Sequence, residues 1–394
     1  MSEWNVCSID ELGSANRGKS KHRPRNDVIL FGGLYPFIQT SDVKNANLYI
    51  SEYDTTYSEI GLAQSKLWKK GTLCITIAAN IAESAILGID ACFPDSVVGF
   101  MPYEGKADLK FVKYMLDEFK VYMQQISKGT TQDNLSLEKL RRIKFYVPSY
   151  ETQQKIAHIL SRYDEAIENN NKRIKLLEQM AQNLYKEWFV RFRFPGYENC
   201  EFENGIPVRW KYKNLFDVVN VTYGYAFASE LFCDDESLNP VVRIRDILDN
   251  YTKTFTSEEC SDKYIIKENE ILIGMDGIFH MCMWNGEKAY QNQRVVKLTA
   301  KTEVYSNYFL FLAVQPQIKF WEQTIAGTTV AHLGDKHLKR INVLIPSDDI
   351  LKQATIKFNL LMKQKNSLFK ANKNLVKQRD LLLPRLMSEK LEVK

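Results

Sequence analysis

From Ile156 onward, apolar residues recur in steps of four and three, at Leu160, Tyr163, Ile167, Ile174, Leu177, Ala181, Leu184 and Trp188, with Asn170 as the one polar interruption. This is an a/d heptad seam, and it predicts a long helix that buries one stripe against a partner helix. A second seam places Leu361, Leu368, Leu375 and Leu382 seven residues apart, with Phe358, Lys365, Asn372, Arg379 and Leu386 at the alternate positions. That seam is partly polar, and Pro384 is expected to kink or stop it near its end. A helix over 156–188 would run for about 50 Å. The two seams are expected to pair with each other as an antiparallel coiled coil, with Asn170 as the better candidate for fixing the register.

Away from the seams the pattern changes. Leu73–Ile77, Ile271–Gly274 and Arg294–Leu298 are short apolar or alternating runs that predict strands, and 111–126 and 307–323 predict short helices. The chain also repeats itself. With Gly129-Thr130-Thr131 laid over Gly327-Thr328-Thr329, a shift of 198 residues, nine of 21 positions up to Ser149 and Ser347 are identical. Average composition gives roughly one or two matches by chance. Trp4 and Gly18 match Trp210 and Gly224, the stretch from Pro36 to Asp42 resembles that from Pro240 to Asp246, and Val97-Val98 falls on Val295-Val296.

The fold class expected is therefore α+β: two similar domains, each followed by a long helix. The first domain covers 1–148, a helix and linker 149–205, the second domain 206–346 and the second helix 347–394. Phe194-Pro195-Gly196 and Asn204-Gly205-Ile206-Pro207 punctuate the join.

Composition narrows the function classes. At 394 residues and 45% hydrophobic, the chain has enough apolar material for more than one packed core. Its net charge of +5 falls short of a uniformly basic nucleic-acid binder, so any basic surface must be local. The seven Cys stand singly and the five His are scattered, which argues against disulfide or zinc frameworks. Met1–Asp10 is mixed and polar, and no run of about 18 apolar residues occurs, so a cytoplasmic protein without a membrane span is expected.

The order of elements resembles the specificity subunits of type I restriction–modification systems. The motifs carrying the resemblance are Gly129-Thr130-Thr131-Gln132, Pro148 leading into Glu151-Thr-Gln-Gln-Lys-Ile156, Leu184-Tyr-Lys-Glu-Trp-Phe189, Gly205-Ile-Pro-x-x-Trp210 and Asp380-Leu-Leu-Leu-Pro-Arg-Leu386. They span nearly the whole chain. One departure is that Asp348-Asp349-Ile350-Leu351-Lys352-Gln353 stands where the first half has Glu151 and Gln153. The resemblance implies two target-recognition domains that read the two halves of a split duplex DNA sequence. The paired helices would set the gap and dock two methyltransferase subunits, joined by restriction subunits. It implies no cofactor in this chain; S-adenosylmethionine, ATP and magnesium would belong to the partners. A coiled-coil scaffold without a DNA role, or a self-contained methyltransferase, are the alternatives.

Within that frame, Arg17, Lys19, Lys21, His22, Arg23 and Arg25 form a stretch with no acid that would neutralise phosphates and offer Arg to guanine edges. The second domain offers Tyr223, Tyr225, Arg243, Arg245, Lys288, Tyr290, Gln291, Gln293 and Arg294. Strand alternation should turn half of the closely spaced ones into the core, so fewer than half are expected to touch bases. Thr130, Thr131, Gln132, Thr328 and Thr329 would present hydroxyls and backbone N–H groups to phosphate. Gly13-x4-Gly18-Lys19-Ser20 fits a phosphate-loop pattern. No buried strand precedes it, however, and Pro24 follows where a helix should run, so nucleotide binding is not expected. No catalytic set emerges. The Asn/Asp-Pro-Pro-aromatic motif of an adenine methyltransferase is missing from the sequence.

Overall fold

The computed structural model describes residues 4–127, 134–325, 331–388 and 390–391. The chain divides into two compact units, 1–171 with 371–394, and 172–370. Each unit contains one globular domain and a stretch of both long helices.

In the first unit a five-stranded sheet runs in the order Gly13–Arg17, Val97–Pro102, Leu73–Thr76, Ser84–Leu87, Tyr49–Ile50. All four residues of Leu73–Thr76 are buried, as a central strand covered on both faces requires. Helices Leu109–Glu118 and Lys120–Ser127 lie on the sheet, with Phe111, Val112 and Met115 in the core beside Leu73 and Val98. Asp108 starts the first of them by accepting a hydrogen bond from the Phe111 N–H at 3.0 Å. A second, four-stranded sheet is ordered Thr55–Tyr57, Phe31–Phe37, Ala91–Cys92, Leu67–Trp68.

The second unit repeats this plan. Strands Ile271–Gly274 and Val295–Ala300 begin and end 198 residues after Leu73–Thr76 and Val97–Pro102. Helix Asn307–Ile325 covers, at the same shift, the span that two helices share in the first unit. The pattern around Asp42 and Asp246 also has a shared cause: each carboxylate accepts the backbone N–H three residues before it, from Gln39 at 2.7 Å and from Arg243 at 2.9 Å.

Both seams form helices, Tyr150–Tyr185 followed by a π turn at Lys186–Val190, and Asp348–Leu386. No seam residue named above is exposed. Inside the first unit Asp164 pairs with Arg379, and Asn170 donates to Asn372 at 2.8 Å. The partner number falls as the first rises, so the helices are antiparallel. Asn372 donates in turn to Asn171 at 2.8 Å, and both seam asparagines are thereby satisfied by the pairing. Inside the second unit Lys365 meets Glu178 at 3.0 Å and Phe358 packs by Phe189, again antiparallel. Pro384 lies in the last turn, and the helix ends two residues later at Leu386.

Several motif residues prove to be structural. Trp188, Phe189 and Trp210 are buried together with Phe309 and Phe358 in the core of the second unit. Gln153 is buried, takes the Asp108 N–H at 3.0 Å and donates to the carbonyls of Lys106 and Pro148. At the same shift the second half has Leu351, which is also buried. The departure noted after Pro346 is thus a buried polar clamp exchanged for an apolar side chain.

Candidate nucleic-acid interface

The basic stretch leaves the first sheet at the end of strand Gly13–Arg17. Two backbone hydrogen bonds hold the exit: Gly18 N–H to the Val97 carbonyl at 2.8 Å and Lys19 N–H to the Phe93 carbonyl at 3.1 Å. The second domain makes the same pair, Gly224 to Val295 at 3.1 Å and Tyr225 to Gln291 at 2.9 Å. Both glycines are needed for close approach. A Cβ on Gly18 would lie 2.3 Å from the Pro94 carbonyl oxygen, and one on Gly224 1.8 Å from that of Asn292. The Arg- and Lys-rich loop of one domain and the Tyr-rich loop of the other therefore emerge from equivalent points. Residues 13–17, inside the phosphate-loop pattern, are strand paired to 98–102, and residues 18–27 are not helical.

Arg17, Lys19, Lys21, Arg23 and Arg25 are exposed. Lys19 and Lys21 have no side-chain partner among the described residues. Arg17 lies close enough to Glu138 to help depress that carboxyl, after the larger effects of the Glu138 backbone N–H and the Ser136 hydroxyl. Arg23 curls back to donate to the carbonyls of Ser20 at 2.9 Å and His22 at 2.7 Å. Arg25 pairs with Asp95 at 2.8 Å, and His22 contacts Asp27 at 2.9 Å, an arrangement that depresses the Asp27 carboxyl. The loop is thus a shaped surface with two free ammonium groups, since the Gln64 side-chain oxygen also takes the backbone N–H groups of Lys21 and His22. If these cations neutralise phosphates, replacing Arg17, Lys19 and Lys21 by Ala should weaken binding to every duplex alike. It should also make the dependence of log affinity on log salt shallower by nearly one unit per lost contact. Titrations at several salt concentrations check this, and an unchanged slope would show that the loop faces only solvent.

In the second domain the Tyr223 hydroxyl donates to Asp335 at 2.7 Å, and burial followed by that carboxylate pushes its pKa up. Tyr225 packs on Phe227 and Tyr264, and Tyr290 stacks on Phe227. Arg243 lies over the Phe232 ring, whereas Arg245, Lys288 and Gln293 are exposed. Gln291 needs correction as a base-reading candidate. It is fully buried, and its amide donates to the carbonyls of Thr222 and Val295 at 2.7 Å each, because strand alternation turns it inward. Arg294 is exposed and lies 3.4 Å from Asp276, which also meets His332 at 2.6 Å. Neither Asp276 nor His332 stood out in the sequence; they are 56 residues apart and no spacing rule links them. Thr130, Thr131, Gln132, Thr328 and Thr329 lie outside the described residues.

A family model described as "Type I restriction modification DNA specificity domain" matches residues 1–179 and 207–378, once for each half. The chain belongs to this family. As a specificity subunit it serves DNA target recognition and is not itself an enzyme. The specificity subunit of the type I restriction enzyme MjaIX from Methanocaldococcus jannaschii is 27% identical, over 99% of this chain and 94% of its own. That of HindI from Haemophilus influenzae is 24% identical, over 98% and 99%. The crystal structure of a type I restriction–modification S subunit from M. genitalium superposes with a TM-score of 0.59 at 16% identity, covering 98% of this chain and 96% of that one. It shares the fold. Among the described residues, no helix of this subunit is long and apolar enough to cross a membrane.

Proposed function

We propose that this specificity subunit reads a split duplex target, one half-site per globular domain, and carries two methyltransferase subunits on its long helices, to which restriction subunits add. S-adenosylmethionine, ATP and magnesium act in those partners. The observation that supports this best is the shared exit at Gly18 and Gly224, where two unlike loops, one basic and one aromatic, leave one common framework. Methyltransferase docking draws support from apolar residues left exposed on the helices, Leu176 and Met180 on the first and Ile356 and Leu360 on the second. Each pair is four residues apart and so lies on one helix face. An adenine target would be flipped out into the methyltransferase, since its amino group is unreachable inside the stack.

The test is to express the subunit with its methyltransferase partner and map the methylated sites in host DNA. A two-part motif with a fixed gap is expected. A continuous motif, or methylation without sequence preference, would overturn the split-reader reading. A subunit that does not co-purify with the methyltransferase would remove the docking role.

A further inference from the structure

Three backbone segments meet beside the Tyr223–Tyr225 exit. Met275 N–H donates to the Arg294 carbonyl at 3.0 Å, Leu333 N–H to the Met275 carbonyl at 2.7 Å, and Gly277 N–H to the Ala331 carbonyl at 3.0 Å. This lacing fixes the relative positions of Asp276, Arg294 and His332. The Asp276 carboxylate then divides its oxygens: Oδ1 contacts His332 Nδ1 at 2.6 Å and Oδ2 contacts Arg294 Nε at 3.4 Å. Because the contact to Arg294 is at Nε, both Nη groups remain available. Among the described residues neither has a partner, and the side chain is 55% exposed.

The other candidate arginines compare poorly. Arg23 uses Nη1 on the carbonyls of its own loop, and Arg25 uses Nη2 on Asp95. Arg245 also meets a carboxylate at Nε, that of Asp246, but at the longer distance of 3.8 Å, and Arg243 lies over the Phe232 ring. Of these arginines, Arg294 makes the shorter carboxylate contact at Nε while its Nη fork is left open.

The bracing chemistry favours a base edge over a phosphate. Two Nη donors in a fixed fork match O6 and N7 of guanine in the major groove. A free cation is drawn first to the phosphate backbone, but Asp276 offsets much of the Arg294 charge while leaving its N–H groups in place. Rotamer freedom lost on binding is also reduced when the side chain is already held. We propose that Arg294, braced by Asp276 and with His332 behind it, is a guanine-binding site in the second domain. Asp276 acts as the positioning residue. The inference rests on the DNA-reading role given above. It applies to one half only, since the positions 198 residues earlier are Ala78, Ser96 and Asn134.

The test uses the complete complex built on the full chain, with genomic DNA of an unmethylated host as the first probe. The sites methylated by the parent complex define its motif. Arg294→Ala and Asp276→Asn should each make one guanine position degenerate and leave the rest of the motif intact, which also shows that the variants fold. A duplex carrying 7-deazaguanine at that position lacks the N7 acceptor. It should bind the parent roughly ten- to hundred-fold more weakly and the Arg294→Ala complex no differently from normal DNA. If Arg294→Ala instead weakens cognate and random duplex alike, with a shallower salt slope, Arg294 holds a phosphate and the inference falls. An intact motif in both variants overturns it as well. Should Arg294→Ala methylate nothing, the parent decides alone: indifference to 7-deazaguanine at every guanine of that half-site overturns the site. A parent complex with no sequence preference would sink the DNA-reading role itself, a result distinct from all of these.

Discussion

Exchanging residues 1–148 for the same region of a relative with a different target is expected to rewrite one half of the recognised sequence and leave the other half unchanged. The first domain builds its own core, from Leu73, Val98 and Phe111 through to Phe145, and its candidate reading loop is anchored to its own sheet by Gly18 and Lys19. The second domain has a separate core and a separate anchor at Gly224 and Tyr225. Each loop's anchoring hydrogen bonds run to residues of its own domain. Mapping methylated sites before and after the exchange gives the answer. Simultaneous change of both halves would show that the domains do not read independently.

The largest single-residue effect on stability is expected at Arg379. Asp164 is 1% exposed, and it is held by the Arg379 guanidinium on one oxygen and the Tyr114 hydroxyl on the other. Burial and the neighbouring Asp164 both push the Tyr114 hydroxyl pKa upward, so it stays a donor. Arg379→Ala would leave a buried carboxylate with one neutral partner. Breaking such a pair from one side costs about 3–5 kcal/mol, because the remaining charge stays desolvated. Adding Asp164→Asn to Arg379→Ala should recover part of the loss, since the leftover charge is gone. Denaturant melts of the single and double variants decide the matter, and a loss below about 1 kcal/mol for Arg379→Ala would mean that water reaches Asp164 freely.

Much of this architecture was legible in the sequence because it depends on periodicity. The seam positions from Ile156 to Trp188 and from Phe358 to Leu386 are buried or half-buried, and the 198-residue shift reappears in the bounds of strands and helices. A polar residue inside a seam is also readable, and Asn170 and Asn372 do hydrogen-bond across it. The candidate interface was only half legible. Runs such as Lys288 to Arg294 advertise polar chemistry, but which way each side chain points depends on strand register, and Gln291 turned inward. The Asp276–Arg294–His332 group was invisible because three distant segments bring it together. The roles of Gly18 and Gly224 were likewise hidden, since a close approach involves carbonyls some seventy residues away in sequence.

Those two glycines bear on how such a reader can change its target. The paired hydrogen bonds at each exit, from Gly18 and Lys19 and from Gly224 and Tyr225, join backbone groups, and at each glycine the close approach leaves no room for a side chain. Past that point the two halves of this chain differ completely, one continuing Lys-Ser-Lys-His-Arg and the other Tyr-Ala-Phe-Ala-Ser, without disturbing the sheet below. The frame tolerates new wording. If these loops read the target as proposed, a mutation at one of their exposed positions would alter what is read at little cost to folding, and new specificities would be reachable by single steps through folded intermediates.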